Sequence, residues 1–191
     1  MLAVPNILTI LRIALVPVFA LVLWGDPSDS SRMLAFAIFC IAGISDGLDG
    51  YIARKFNAGS DFGRMLDPIA DKILVGVALM ILVAQGHFDG WKMVPALVIL
   101  SREFLVSGLR EFLAGARVSV PVTFFAKIKT TIQMIAIAAM ILGPALDKTV
   151  PGVLAFAYVA LWIAAALTVI TGYAYLRAGL AHTRHSILPS A

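Results

Sequence analysis

Four aspartates lie in a short stretch of the sequence, at spacings that would place them on helix faces. Asp46 and Asp49 are three residues apart, and Asp67 and Asp71 are four residues apart. On an α-helix, residues three or four apart project from the same face. We expect the two helices to run antiparallel, because only a short turn region joins them. The four carboxylates could therefore converge at one place.

Four carboxylates in one place repel one another unless protons or cations neutralise them. Hard divalent cations such as Mg²⁺ prefer oxygen ligands and bind through carboxylates together with substrate phosphates. Two such ions about 3.5–4 Å apart form a clamp for phosphoryl transfer. The four aspartates therefore predict a site for two divalent cations, Mg²⁺ or Mn²⁺, that acts on a phosphate ester.

Small and basic residues lie on the same helix faces as the carboxylates. Gly50, Ala53 and Gly63 would let a large ligand approach the backbone closely. Arg54 can bind a phosphate group through two parallel hydrogen bonds. This combination predicts a phosphate-bearing ligand beside the metal site.

A structural interpretation of the same residues stays open. Asp46 and Arg54 could form an ion pair, and so could Asp71 and Lys72, while the GxxxG pattern that begins at Gly43 is typical of a helix contact. A single aspartate would fit this interpretation well. Four aspartates at helical spacing, with small residues between them, favour the metal site.

The composition indicates the setting in which these helices lie. The chain has 191 residues, of which 61% are apolar and 14% charged, and its mean hydropathy is +0.96. A soluble domain is about 45–50% apolar and about 25% charged. A soluble globular fold and a disordered chain are thus excluded, and the single cysteine, Cys40, cannot form a disulfide within the chain. We expect one membrane domain spanning residues 1–191.

Six segments are long and apolar enough to cross a bilayer, which takes about 20 residues each. The predicted fold class is all-α, a polytopic membrane protein with six transmembrane helices. The segments are 6–24, 33–53, 67–85, 91–114, 123–146 and 150–176.

Lysine and arginine predict the orientation of these segments. With six spans, only Arg32, Lys92 and Lys148 fall on one side, and the other 12 of the 15 basic residues fall on the side of both termini. Basic residues concentrate on the cytoplasmic side. Both termini are therefore predicted to be cytoplasmic. No basic stripe with interleaved aromatic residues lies outside the apolar spans, so nucleic acid is not an expected partner.

Charged residues are concentrated in the cytoplasmic halves of the predicted spans. The outer halves carry no charge over 13–23, 33–42, 74–84, 93–100, 134–146 and 150–164. Ionisable groups at membrane depth are costly and indicate a functional site. The pattern predicts a polar cavity that faces the cytoplasm and is sealed on the outer side. A cation channel or transporter would need polar groups along a complete path, so an enzyme is favoured over both.

The aspartate region resembles a known family signature. It matches D-x2-D-G-x2-A-R-x8-G-x3-D-x3-D, which has eight fixed positions over the 26 residues 46–71, without a departure. This is the signature of the CDP-alcohol phosphatidyltransferase family, whose six-helix architecture would cover essentially the whole chain. The resemblance implies attack of an alcohol on a CDP-linked lipid, with release of CMP.

The resemblance also implies roles for individual residues. Asp46, Asp49, Asp67 and Asp71 correspond to the family's ligands for a divalent cation pair. Asp71 additionally corresponds to the base that takes the proton of the attacking hydroxyl. The residues that correspond to, or lie near, the family's CDP-lipid site are Gly50, Ala53, Arg54, Ser60, Gly63, Asn6 and Thr9. Asn6 is equally well explained as a helix-start signal.

Two further segments, 101–111 and 127–133, resemble family members whose acceptor is glycerol 3-phosphate. Such a small dianion needs cations at the depth of the metal site, and the available residues are Arg102, Arg110, Lys127 and Lys129. Arg110 also fits a solvated helix end. Other acceptors of the family, namely inositol phosphate, serine or phosphatidylglycerol, stay open. The resemblance further implies a homodimer. The expected location is the bacterial cytoplasmic membrane, with membrane lipid as a partner, and a mitochondrial inner membrane stays open as an alternative.

Overall fold

Six α-helices form a bundle in the part of the chain that the computed structural model describes. The structure describes residues 4–56, 61–116, 118 and 124–187; within these helices, the side chains of residues 4, 5, 49–54, 56, 61, 62, 64 and 182–187 are left out of the description. The helices are α1 (Val4–Val22), α2 (Asp29–Phe56), α3 (Asp61–Ala84), α4 (Val94–Gly115), α5 (Phe124–Leu146) and α6 (Val153–Ile187), with a short 3₁₀ helix at Gly90–Met93 before α4.

The helices begin and end where the sequence carries turn chemistry. Gly25 and Gly86 have φ of 73° and 75° in the turns after α1 and α3, a backbone conformation that residues with a Cβ rarely adopt. A proline in the first turn of α4 has no amide hydrogen to leave unpaired. No strand occurs in the described parts of the chain, so the all-α prediction is confirmed.

The chain is a membrane protein by the length and apolarity of its helices. In the described ranges, the stretches Asp29–Leu48, Phe124–Leu146 and Val153–Ala181 are long and apolar enough to cross a membrane, and Asn6–Val22 is a shorter apolar helix. Large apolar side chains such as Leu21, Trp24 and Trp91 are exposed on the outside of the bundle, which agrees with a membrane setting. The topology with six spans stays a prediction.

Helix α1 is the main packing partner of both α2 and α3, which contact each other only slightly. We expected α2 and α3 to be direct neighbours because a short turn joins them. Instead, α2 and α3 each contact α1 far more than they contact each other. The other half of the bundle consists of α5 against α6 and α2, and of α4 against α6. The first helix therefore lies at the centre of the aspartate region.

The apolar core fills the end of the bundle away from the aspartates. Phe19 of α1 and Phe39 of α2 are fully buried there, with ring centroids 6.0 Å apart. Gly43 lets α2 approach α5, since a Cβ at this position would lie 2.6 Å from the Met134 side chain. The polar site therefore lies at the opposite end of the bundle from this core.

Candidate active site

Two of the four aspartates meet at a buried arginine of α1. Arg12 has a side chain that is 0% exposed, and its Nη1 donates to Asp46 Oδ1 at 2.7 Å and to Asp71 Oδ1 at 3.2 Å. Its Nε lies 3.5 Å from Ser45 Oγ. One guanidinium thus joins the carboxylates of α2 and α3. Its positive charge offsets the repulsion between them.

A third aspartate is held by the same face of α1. Thr9 lies three residues before Arg12, and its hydroxyl donates to Asp67 Oδ1 at 2.6 Å. Asn6, a further three residues earlier, is also buried. These positions fall on one stripe of the helix. The stripe of α1 therefore contacts Asp46, Asp67 and Asp71, the three aspartates of the motif whose side chains are described.

A cavity of about 160 Å³ opens beside these carboxylates. Asp46 and Asp71 lie on its wall, with side chains that are 42% and 53% exposed. The other walls come from α2, α3, α4 and α5. Its remaining lining residues are Gly43, Lys72, Leu74, Val75, Glu103, Lys129, Thr130, Gln133 and Met134.

A second group of charges includes two residues that line the same cavity, Glu103 and Lys129. Lys129 of α5 is 4% exposed and donates a short hydrogen bond to Glu103 Oε1 of α4. Arg102 Nη1 lies 3.6 Å from the same carboxylate oxygen. Two cations thus share one anion, so this group of three side chains carries a net positive charge. Such a group suits an anionic ligand near the aspartates.

Arg102 is hydrogen-bonded to α6 and does not line the cavity. Its Nε donates to the Thr168 carbonyl at 3.1 Å, and its Nη2 donates to Thr171 Oγ1 at 3.0 Å. The arginine crosses α6 at Gly172, where a Cβ would lie 3.2 Å from the arginine side chain. Arg102 therefore contacts Glu103 from outside the cavity and links the pair of Glu103 and Lys129 to α6.

The other two basic residues proposed for the acceptor lie elsewhere. Arg110 and Lys127 are exposed, and neither lines the cavity. Both lie toward the end of the bundle at which α4 ends and α5 begins. The structure thus brings Lys129 to the aspartates and leaves these two at the surface.

Parts of the predicted metal site and of the predicted CDP-lipid site fall outside the description. Asp49, Gly50, Ala53 and Arg54 lie on α2, but their side chains are not described, and Ser60 lies outside the described residues altogether. Gly63 is buried in α3. The predictions for the undescribed positions stay predictions.

The structural interpretation of the aspartates receives little support from the described side chains. Lys72 Nζ donates to the Pro68 carbonyl at 2.9 Å, on its own helix, instead of bridging to Asp71. Asp46 forms its described ion pair with Arg12, which lies 34 residues away. The carboxylates are thus held between helices and not within one.

The donor set fits a hard divalent cation. Asp46 and Asp71 offer carboxylate oxygens from two helices, near enough to share one nitrogen and open to the cavity. Such oxygens are what Mg²⁺ and Mn²⁺ prefer. Within the described side chains, no group of three or more histidine, cysteine or acidic residues lies close enough to hold a metal. Asp49, whose side chain is undescribed, belongs to the predicted set.

Sequence reasoning missed the role of Arg12. It was used only as a basic residue that indicates orientation. The signal available was its depth within an apolar span and its position three residues after Thr9. Glu103 was likewise seen only as part of a segment, although an acid beside Arg102 at membrane depth requires a cationic partner.

Comparison with known proteins identifies the family. Residues 2–170 match the profile of the CDP-alcohol phosphatidyltransferases. The chain belongs to the CDP-alcohol phosphatidyltransferase family. Members of this family generally use divalent cations, in agreement with the oxygen donors at the cavity.

Several members of the family are similar to this chain over most of its length. A Rickettsia bellii protein is 50% identical over 174 residues, which cover 91% of this chain and 93% of the relative. An Escherichia coli K12 protein is 39% identical over 180 residues, covering 93% and 95%. Both relatives are named CDP-diacylglycerol–glycerol-3-phosphate 3-phosphatidyltransferase.

Proposed function

We propose that this chain transfers the phosphatidyl group of CDP-diacylglycerol to sn-glycerol 3-phosphate, giving phosphatidylglycerophosphate and CMP. The names of the relatives at 39–50% identity support this acceptor over the family's other alcohols. One structural observation carries the proposal. Asp46 and Asp71 share a cavity with the buried Lys129, so an acidic site for reaction and a basic site for an anionic acceptor are adjacent.

The reaction is a direct displacement at phosphorus. The 1-hydroxyl oxygen of glycerol 3-phosphate bonds to the β-phosphorus, which carries the diacylglycerol. The bond from that phosphorus to the bridging oxygen breaks, and its electron pair leaves with CMP. Asp71 takes the hydroxyl proton, since its side chain is 53% exposed and faces the cavity. No covalent enzyme intermediate is required.

Each group of residues has a separate part in this scheme. Asp46, Asp49, Asp67 and Asp71 would hold the divalent cations, two ions of Mg²⁺ or Mn²⁺. When bound, these supply charge stabilisation for the pyrophosphate and the leaving group. The backbone near Gly50, Ala53 and Gly63 makes room for the CDP moiety, and Arg54 and Ser60 bind its phosphates. The acceptor phosphate pairs with Lys129, and Arg102 supports that wall.

Helix α1 supports the reaction through its buried stripe. Thr9 orients Asp67 by a hydrogen bond of 2.6 Å, and Arg12 holds Asp46 and Asp71 at fixed positions. Asn6 lies nearer the helix start on the same buried stripe. Preorganised carboxylates need no rearrangement as charge develops.

The membrane setting belongs to the same proposal. The chain would form one domain over residues 1–191 with six spans, both termini and the cavity facing the cytoplasm. The expected location is the bacterial cytoplasmic membrane, where membrane lipid supplies the diacylglycerol substrate. A homodimer is proposed from the family resemblance.

The decisive experiment is CMP release by the purified protein in detergent. CDP-diacylglycerol is supplied with Mg²⁺ and, in separate reactions, glycerol 3-phosphate, inositol phosphate, serine or phosphatidylglycerol. We expect CMP and a phosphatidyl product with glycerol 3-phosphate alone. Release of CMP with another alcohol and not with glycerol 3-phosphate would assign the chain to a different branch of the family.

A further inference from the structure

One polar atom on the cavity wall lacks the partner that burial normally demands. Gln133 of α5 is 2% exposed, and its Oε1 has no hydrogen-bond partner among the described residues. Buried polar atoms in folded proteins are nearly always paired. Gln133 also lines the cavity that holds the two carboxylates. A bound molecule in this cavity could supply the missing hydrogen bond.

The neighbours of Gln133 indicate which molecule that is. Lys129 lies four residues earlier on α5, one helical turn away, and it lines the same cavity. A turn rises about 5.4 Å, so a three-carbon alcohol phosphate whose phosphate lies at Lys129 can reach Gln133. With its reacting hydroxyl at Asp71, which lines the same cavity, such an acceptor would lie along the wall that carries Gln133.

We propose that the side-chain amide of Gln133 binds the secondary hydroxyl of the acceptor alcohol and so selects glycerol 3-phosphate over acceptors that lack this hydroxyl. The inference rests on the proposed function and adds a specificity residue to it. A hydroxyl both donates and accepts hydrogen bonds, so it can pair with either end of the amide. Gln133 contacts the substrate without taking part in proton transfer.

The test compares two acceptors that differ by one hydroxyl. Propane-1,3-diol monophosphate keeps the primary hydroxyl and the phosphate of glycerol 3-phosphate but has no secondary hydroxyl. For the wild type, we expect kcat/KM to favour glycerol 3-phosphate by about tenfold or more, because a site built to bond a hydroxyl rejects an analogue without it.

Substitution of Gln133 should remove this preference. Gln133→Met keeps the length of the side chain but not its polar end, so kcat/KM should fall about tenfold or more for glycerol 3-phosphate. It should stay nearly constant for the diol phosphate, which brings the ratio close to one. Gln133→Asn keeps the amide on a shorter side chain and should give an intermediate ratio.

Two controls separate binding from a structural role. Gln85→Met removes an amide of equal size at the other end of the bundle, where it donates to the Leu23 carbonyl, and it should leave the wild-type ratio unchanged. Thermal unfolding of Gln133→Met should occur at or above the wild-type temperature, because this substitution removes an unpaired atom and not a hydrogen bond.

The outcomes distinguish this inference from the proposed function. Product from glycerol 3-phosphate, together with equal use of both acceptors by the wild type, overturns the inference alone. A wild-type ratio that persists in both Gln133 variants does the same. No product from glycerol 3-phosphate with the wild type overturns the proposed function, and the assignment of Gln133 with it.

Discussion

Arg12 is the side chain that holds two of the described aspartates, Asp46 and Asp71. A fully buried guanidinium is costly unless it is paired, and here the partners are the partly exposed carboxylates of Asp46 and Asp71. The interaction is more than charge neutralisation, because the planar guanidinium fixes the positions of both carboxylates. Arginine offers directed donors for this purpose, and lysine offers only a compact charge.

Arg12→Lys should therefore impair activity while keeping the charge. We expect kcat/KM for CMP release to fall about 10- to 100-fold and the protein to unfold at a lower temperature, since one ammonium cannot hold the same geometry. Arg177→Lys, an exposed position on α6, serves as the matched control and should behave as the wild type. Full activity of Arg12→Lys would show that its charge alone suffices.

Asp71→Asn tests the assignment of the base. The amide cannot take the proton of the acceptor hydroxyl, so kcat should fall about 10²- to 10⁴-fold, while binding of CDP-diacylglycerol, measured by equilibrium titration, is largely retained. Asp29→Asn is the matched control, because Asp29 pairs with Lys148 on an exposed part of α2. A near-normal kcat in Asp71→Asn would contradict the base assignment.

Residue types and spacing predicted the aspartates but not how they are held. Helical periodicity placed Asp46 and Asp71 on faces that could meet, and both line one cavity. The hydrogen bond from Arg12 to Asp71 joins residues that are 59 positions apart in the sequence. Periodicity describes one helix at a time, so it cannot reveal a partner on another helix. Gln133 was missed for the same reason, because its unpaired atom is visible only after packing.

At the scale of elements, α1 positions the motif without carrying any of it. Its buried stripe of Asn6, Thr9 and Arg12 faces α2 and α3 together. The two motif helices are thus oriented by a third helix as well as by their own short connection. Substitutions in α1 should consequently affect the geometry of the motif more than the folding of the motif helices.

Thr9→Val isolates this positioning effect. Valine has nearly the shape of threonine but cannot donate to Asp67, so Asp67 loses an orienting hydrogen bond of 2.6 Å. We expect a loss of about 10- to 150-fold in kcat/KM, corresponding to about 1.5–3 kcal/mol for one hydrogen bond to a charged group, and a raised Mg²⁺ requirement in titrations. Thr149→Val, in an exposed turn, should change neither quantity.

The approximate positions of the helices were predictable from apolar runs and turn residues. The packing of the helices against one another was not. Predicted spans such as 91–114 and 123–146 agree with α4 (Val94–Gly115) and α5 (Phe124–Leu146) to within a few residues. Apolar runs and turn residues determine where a helix begins and ends. The position of α1 between α2 and α3 depends on contacts between small and polar side chains of different helices. The apolar pattern of a single helix does not predict such contacts.

At the scale of the whole molecule, the two ends of the bundle differ in chemistry. One end carries the charged cavity, and the other carries a smaller polar group around Arg32, which hydrogen-bonds to Gln85 and approaches the imidazole of His87. The hydroxyl of Tyr158 donates to the His87 carbonyl. This second group ties the turn after α3 to α2 and α6, so we assign it a structural role.

His87 makes the stability of that end depend on pH. Burial, and then the charge of Arg32, lower the pKa of His87 below its ordinary value of 6.5. The unfolded chain therefore binds a proton more readily than the folded chain below pH 6.5, and stability is lost as the pH falls from that value toward the folded pKa. Well above pH 6.5 both states are neutral, and His87 contributes no pH dependence there.

His87→Gln should remove this part of the pH dependence. In detergent, we expect the unfolding temperature of the wild type to fall between pH 7 and about pH 5.5 by about 1–3 °C more than that of the variant, a small difference because the imidazole is only half-buried. His182→Gln provides a histidine control in the last turns of α6. An identical pH profile for the wild type and His87→Gln would mean that the imidazole is protonated equally in both states. In that case the approach of Arg32 to the ring would be without energetic consequence.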